Sequence, residues 1–164
     1  MNRINKKPLL WVLTIFLFVS CNEFESRETQ IIIFHTNDSH ARIDNFAKLA
    51  ALVNEERSQN PYVFLISTGD VFSGNPLVDN YDPPGYPKID LMNRVKYDMS
   101  VIGNHEFDYG LEELKNRMEQ AEFPFILGNI DVGETILPSP DPYLIKDVAG
   151  IQIGFIALLQ VTGK

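Results

Sequence analysis

The sequence predicts an α/β fold of βαβ type with an antiparallel addition, and three observations support this. Short apolar runs of strand length begin at residues 31, 62, 99 and 125. Segments whose apolar residues recur at helical spacing lie between several of these runs. Two further apolar runs, at residues 143–148 and 151–158, are separated only by Ala149 and Gly150, which is typical of a β-hairpin.

The predicted elements follow one another from residue 31. The first strand is expected to be buried on both faces and to continue to about Asn37, because its residues are uniformly apolar and β-branched. Asp44 or Asn45 can cap the first helix. The inner stripe of that helix is predicted to be Phe46, Leu49, Ala50 and Val53. The other predicted elements are strands at 62–67, 99–102 and 125–127, a loop at 71–86, a short helix at 89–95 and a helix whose inner stripe spans 111–121.

The first twenty residues have the pattern of a secretory signal peptide. Three basic residues precede an apolar run at residues 9–19 that, at ~1.5 Å per residue, is shorter than the ~30 Å hydrocarbon core of a bilayer. Residues 17–21 resemble a bacterial lipobox, with Phe18 where leucine is more usual. We therefore predict that Cys21 is the first mature residue and carries a lipid anchor, and that residues 22–29 form a tether. The alternative is an ordinary signal peptide followed by an incidental cysteine. Either interpretation predicts an extracytoplasmic protein, in a bacterial periplasm or on the cell surface.

The composition excludes several classes of protein. The chain of 164 residues carries 14 Lys and Arg against 22 Asp and Glu, for a formal net charge of −8, which argues against binding a nucleic-acid polymer. A single cysteine excludes a disulfide framework and a thiolate zinc site. A hydrophobic content of 45% is enough to form a core, so residues 30–164 are expected to belong to one unit.

Polar clusters follow the first three predicted strands. In an open α/β sheet the carboxyl ends of the strands line the binding crevice, so clusters that are distant in sequence should meet there. They comprise Thr36 to His40, then Gly69 and Asp70, and finally Gly103 to Glu106.

The residue types in these clusters suit a phosphoester substrate. If the chain is still extended, Asp38 and His40 point to the same side and can bind one metal ion. Asp70 has two oxygens that can bridge two ions, and Asn104 can supply a neutral oxygen to the second. Two divalent cations carry more positive charge than the carboxylates of Asp38 and Asp70 neutralise. The excess positive charge would attract a phosphate dianion.

The residues that follow Asn104 suit proton transfer. His105 is free to face the substrate, and Asp108 lies three residues later, where it could orient and charge the imidazole. Such a pair could protonate a leaving alkoxide.

These segments resemble the motifs of the calcineurin-like metallophosphoesterases, and specifically those of the 5′-nucleotidase (UDP-sugar hydrolase) branch. The resemblance covers His35 to His40, Gly69 with Asp70, and the run from Gly103 to Gly110, and it extends from about Ile31 to Leu158. It implies a four-layer αββα sandwich with mixed sheets and a hydrolase that releases phosphate from extracytoplasmic nucleotides, as in nucleotide catabolism.

The resemblance also implies specific roles. It assigns two divalent metal ions, with zinc, manganese, iron and cobalt not distinguished. Asp38, His40, Asp70 and Asn104 would be metal ligands, and His105 with Asp108 would be the catalytic dyad. Its substrates would be nucleotides or other small phosphoesters.

The sequence departs from the family pattern downstream of His105. Members of the family complete the two-metal site with further histidines, and no histidine follows His105 here. The family's separate substrate domain is also missing, so the fold is expected to be incomplete and the chain to be the N-terminal portion of a longer enzyme. A non-catalytic truncated lipoprotein that binds metal weakly remains the alternative. A UDP-sugar hydrolase, a cyclic-nucleotide phosphodiesterase and a sulfur-ester hydrolase also remain open.

Overall fold

A four-stranded parallel sheet forms the centre of the protein. The computed structural model describes residues 28–160, so the predicted signal peptide, Cys21 and most of the predicted tether lie outside the described residues. The strands lie side by side in chain order, which brings all their carboxyl ends to one edge. They are β1 (Ile32–Thr36), β2 (Val63–Ser67), β3 (Met99–Val101) and β4 (Phe125–Ile126).

The helices cover one face of this sheet. They are α1 (Phe46–Gln59), α2 (Pro76–Asp79), α3 (Tyr86–Val95) and α4 (Leu111–Gln120), with a 3-10 turn at His105–Phe107. The predicted stripe of α1 is confirmed, since Phe46 and Val53 are buried and the residues between them on that stripe are half-buried. Asn45 occupies the predicted cap position, but its side chain makes no capping hydrogen bond. Helix α3 begins three residues before the predicted start, with a proline in its first turn, where the missing N–H has no helical partner.

The predicted hairpin is confirmed and packs on the other face of the sheet. It consists of β5 (Tyr143–Val148) and β6 (Ile151–Ile156). Ala149 and Gly150 both have left-handed backbones, with φ of 52° and 84°, which suits the twist of a two-residue turn. The ring of Phe155 lies 5.6 Å from that of Phe64 on β2, within a small apolar cluster between the two sheets. The predicted α/β class is therefore confirmed, with helices, a parallel sheet and an antiparallel sheet as successive layers.

The predicted burial of β1 on both faces is wrong. Strand β1 lies at the edge of the sheet and pairs only with β2. Ile33 is 46% exposed and His35 is exposed, because both lie on the face away from the helices, beyond the cover of the hairpin. Phe34 points to the helical side and packs against the main core.

Among the helices formed by residues 28–160, none combines the length and the apolar character needed to cross a bilayer.

Candidate functional site

The three polar clusters meet at the carboxyl edge of the sheet, around Asp70. The backbone N–H of His40 donates to the carbonyl of Asp70 at 3.0 Å, and that of Ala41 donates to the carbonyl of Val71 at 2.8 Å. From the third cluster, the backbone N–H of His105 donates to Oδ1 of Asp70 at 3.0 Å. Asp70 thus joins the loops that follow β1 and β3, as expected from strands whose ends share one edge.

The loop after β1 does not continue the strand. Strand β1 ends at Thr36, and Asp38, His40 and Ala41 have left-handed φ values of 47°, 41° and 56°. The prediction that Asp38 and His40 share one side of an extended chain is therefore wrong. Residues other than glycine adopt this conformation at a cost and keep it only where surrounding contacts impose it.

His105 and Asp108 form the predicted pair. Nδ1 of His105 lies 2.8 Å from Oδ2 of Asp108, and both side chains are about one-third exposed. This hydrogen bond raises the pKa of His105. Burial opposes a low pKa at Asp108, but hydrogen bonds from Ser73 and His105 outweigh it and lower that pKa. The pair therefore favours a protonated imidazole beside an ionised carboxylate.

His40 approaches the same imidazole from the first loop. The ring centroids of His40 and His105 are 4.6 Å apart, with the planes inclined at 73°. The structure thus places His40, Asp70, His105 and Asp108 in one group. Asp38 is exposed and accepts a hydrogen bond from the side-chain amide of Asn37. Asn104 is exposed at the start of the 3-10 turn, where its side chain makes no capping bond.

Glu106 has a larger structural role than its sequence position indicates. Its buried carboxylate accepts hydrogen bonds from the backbone N–H groups of Gly103 at 2.6 Å, Val71 at 2.8 Å and Asp70 at 3.1 Å. Burial raises its pKa to about 7, although these three bonds act in the opposite direction. Gly103 must be glycine, because a Cβ there would lie 2.8 Å from the backbone nitrogen of Asp70. Glu106 therefore ties the ends of β2 and β3 together.

Ser73 and Tyr109 connect the loop after β2 to Asp108 and the 3-10 turn that precedes it. Ser73 donates through its hydroxyl to Asp108, and its backbone N–H donates to the Tyr109 hydroxyl at 3.2 Å. Tyr109 in turn donates to Asp79, and its ring packs against Phe72 with centroids 5.3 Å apart. Nothing in the sequence pattern distinguishes these roles, because they join residues about thirty positions apart.

A cavity of about 330 Å³ lies beside Asp38. Its lining includes Lys88, which is only 1% exposed, together with Phe46 and Tyr97. Lys88 is not among the site residues predicted from the sequence, although its position in the sequence indicates that it is buried. In helix α3 it precedes Met92 by four residues, a spacing that places both on the inner face.

A match to a protein family includes the three clusters that form this site. A family model described as calcineurin-like phosphoesterase matches residues 31–148, which include all three clusters. The chain belongs to the calcineurin-like phosphoesterase family.

Several similar proteins are named as nucleotide phosphoesterases. The chain is similar to a 5′-nucleotidase of Vibrio cholerae, with 34% identity over 83% of the chain and 26% of the relative. It is also similar to a 2′,3′-cyclic-nucleotide 2′-phosphodiesterase/3′-nucleotidase of Haemophilus influenzae, with 29% identity over 82% of the chain and 24% of the relative. The crystal structure of a 5′-nucleotidase precursor from Thermus thermophilus superposes with a TM-score of 0.68 at 26% identity, covering 79% of this chain and 28% of that one. The chain thus spans about a quarter of the length of these relatives.

Residues 28–160 include suitable donor types for metal ions but not a complete set of ligands. Calcineurin-like phosphoesterases generally use divalent metals, and carboxylate, imidazole and amide donors suit first-row ions. Within residues 28–160, however, no three His, Cys, Asp or Glu side chains are arranged to hold one ion. The donor types fit a metal, while the arrangement of the described side chains does not form a full coordination shell.

Proposed function

We propose that this phosphoesterase hydrolyses nucleotides outside the cytoplasm to a nucleoside and phosphate, as a 5′-nucleotidase does. The observation that carries this proposal is the His105 imidazole, held by Asp108 beside His40 and Asp70. Membership of the calcineurin-like phosphoesterase family, similarity to a 5′-nucleotidase and the His105–Asp108 pair at the sheet edge support it.

His105 would act as the general acid. Asp108 occupies its Nδ1, so Nε2 is the nitrogen that can give a proton to the leaving alkoxide. Asp108 keeps the imidazole protonated and oriented, and Ser73 orients Asp108. The proton is thus held at one defined atom.

We further propose Asp38, His40, Asp70 and Asn104 as ligands for two divalent ions. Such ions, when bound, supply Lewis-acid activation of phosphate and of water. Oδ1 of Asp70 already accepts the backbone N–H of His105, which links the proposed ligand to the proposed acid.

Phosphate release by the full chain tests this proposal. AMP would be incubated with the protein and Mn²⁺, Zn²⁺ or Co²⁺, and His105→Ala should lower turnover about 10²- to 10⁴-fold, the usual contribution of a general acid. Asp38→Asn should strongly lower the metal-dependent hydrolysis of AMP, because it removes a proposed ligand. His35→Ala is the matched control, because His35 is exposed on β1 and outside the group around Asp70. Parental turnover in His105→Ala, or an equal loss in His35→Ala, would contradict the proposal.

The competing proposal is a non-catalytic protein that binds metal weakly. The lack of a three-ligand cluster within residues 28–160 favours it. Calorimetric titration with Mn²⁺ and Zn²⁺, beside the phosphatase assay, separates the two. Weak binding without turnover supports this alternative, whereas robust turnover eliminates it.

The preferred ester can be determined in the same assay. The relatives include both a 5′-nucleotidase and a cyclic-nucleotide phosphodiesterase. Comparing kcat/KM for AMP, 2′,3′-cyclic AMP and UDP-glucose distinguishes a 5′-nucleotidase from a cyclic-nucleotide phosphodiesterase and a UDP-sugar hydrolase. A preference for AMP is expected.

We also propose that Cys21 carries a lipid that anchors the protein to a membrane on its extracytoplasmic side. The lipobox-like residues 17–21 support this. Cys21→Ser should move the expressed protein from the membrane fraction to the soluble fraction and abolish labelling with radioactive palmitate. Unchanged labelling would refute the assignment.

A further inference from the structure

Lys88 is a buried cation that joins helix α3 to the loop after β1. It lies on α3, is 1% exposed, and its ammonium sits 4.9 Å from the centroid of the Phe46 ring. Its Nζ donates to Oγ of Ser39 at 2.9 Å and to the backbone carbonyl of Arg42, also at 2.9 Å. Both acceptors belong to the loop that carries Asp38 and His40.

The conformation of that loop depends on contacts with other parts of the protein. Three of its residues, Asp38, His40 and Ala41, have left-handed backbones that side chains disfavour. The loop after β2 supplies part of the support, through the backbone bonds to Asp70 and Val71. Lys88 supplies the contact from the helical layer, and its two hydrogen bonds span the segment from residue 39 to residue 42.

Packing alone does not explain why a lysine occupies this buried position. Burial lowers the pKa of Lys88 to about 8, against the opposing effect of the Glu106 charge, so the charged form is disfavoured there. An apolar side chain of similar length would fill this position without that penalty. What the ammonium adds is two directed hydrogen bonds to one loop.

We propose that Lys88 is a positioning residue that holds the loop of Asp38 and His40 in its left-handed conformation. The functional consequence rests on the proposed role of these two residues as metal ligands. Outer contacts that orient ligands commonly change metal affinity 10- to 100-fold when they are removed.

Lys88→Met tests the inference, because methionine keeps the length of the side chain and removes the ammonium. Amide hydrogen exchange, followed by NMR in the full chain without metal, should be at least about tenfold faster at His40 and Ala41, since the loop opens more often when its outer anchor is lost. The amide of Leu65, on the central strand β2, should be unaffected. Unchanged exchange at His40 and Ala41 would overturn the inference.

Met92→Ala is the matched control. Met92 lies one turn further along α3 and is 1% exposed, so its truncation destabilises the same helix but removes no side-chain hydrogen bond to the loop. It should lower the urea midpoint without accelerating exchange at His40 and Ala41 relative to exchange at Leu65. If it accelerates the loop selectively, as Lys88→Met does, the effect is general destabilisation and the inference fails.

A second variant covers the case in which Lys88→Met does not fold. Ser39→Ala removes one acceptor of the ammonium and keeps Lys88 in place. It should also accelerate exchange selectively at His40 and Ala41, although by a smaller factor. No selective acceleration in Ser39→Ala would overturn the inference on its own.

Mn²⁺ binding separates this inference from the proposed function. Lys88→Met should weaken Mn²⁺ binding about tenfold, and Met92→Ala should leave it unchanged. If the parent chain binds no Mn²⁺, the proposed ligand roles fail, and the exchange data still decide the role of Lys88. If the parent binds Mn²⁺ and Lys88→Met shows parental exchange, only the inference fails.

Discussion

Oδ2 of Asp108 serves two donors, Nδ1 of His105 and the hydroxyl of Ser73. The bond to His105 links the carboxylate to the proposed acid, and the bond from Ser73 fixes its orientation from the loop after β2. At the scale of single residues, the arrangement of His105, Asp108 and Ser73 therefore depends on one shared oxygen.

Asp108→Asn is expected to lower the pKa of His105. The hydrogen bond and charge of Asp108 raise that pKa above 6.5, and an amide supplies no negative charge. A raised pKa in the folded protein stabilises it fully below the unfolded value and loses its effect as pH rises through the folded value. The stability advantage of the parent over Asp108→Asn should therefore shrink as pH rises. NMR titration of the His105 ring protons measures the pKa itself.

Asp44→Asn provides the control for this titration. Asp44 is exposed in the loop before α1, so its substitution removes a charge and leaves the pair intact. The His105 pKa should stay at the parental value. An unshifted pKa in Asp108→Asn would show that the carboxylate does not control the imidazole.

At the scale of elements, Asp98 joins β2 to the ends of two helices. Its Oδ2 accepts the backbone N–H of Leu65 at 2.7 Å and Nη2 of Arg57 at 2.8 Å. Arg57, in the last turn of α1, also donates to the carbonyls of Val95 and Lys96. One carboxylate thus fixes how α1 and α3 meet the sheet.

Asp98→Ala is expected to lower the free energy of unfolding by about 2 kcal/mol, because the N–H of buried Leu65 and the guanidinium of Arg57 lose their acceptor. Asp90→Ala is the matched control, since Asp90 pairs with Arg94 on an exposed helix face. Its loss should be about 0.5 kcal/mol or less. Urea unfolding measures both, and equal losses would contradict the joining role of Asp98.

At the scale of the whole molecule, the hairpin forms a layer of its own against the parallel sheet. Phe155 and Ile156 are neighbours on β6 but lie on opposite faces. Phe155 packs against Phe64, whereas Ile156 is 74% exposed. The two side chains therefore report separately on the inner and outer faces of the hairpin.

Phe155→Ala is expected to destabilise the protein by about 2 kcal/mol, less than the ~3–5 kcal/mol typical of a fully buried phenylalanine, because its ring is only half-buried. Ile156→Ala should change stability by no more than about 0.5 kcal/mol, as exposed positions usually do. Thermal and urea unfolding measure both variants. If Ile156→Ala is the more damaging change, the hairpin packs through its other face.

The sequence by itself determined the order of the strands and of the longer helices, the hairpin and the edge at which the polar clusters meet, but not the short helix α2 within the predicted loop at 71–86. The spacing of apolar residues depends on local structure and therefore predicts strands and helices. The carboxyl ends of parallel strands all lie at the same edge of the sheet, so the clusters that follow them must meet there. The exposure of His35 was not predictable in this way, because it depends on how far the neighbouring layer reaches across β1.

The tertiary structure alone decided how the site is held together. Residues from different elements are brought together at three places. These are the left-handed loop of Asp38 and His40, the hydrogen bonds that Glu106 accepts, and the hydrogen bonds that Lys88 donates. Periodicity cannot show such contacts, because they arise only when distant segments pack and a buried polar group must find its partner. The polar residue types at the strand ends therefore predicted which clusters meet at the edge of the sheet, and the packing between elements determined how their side chains are arranged.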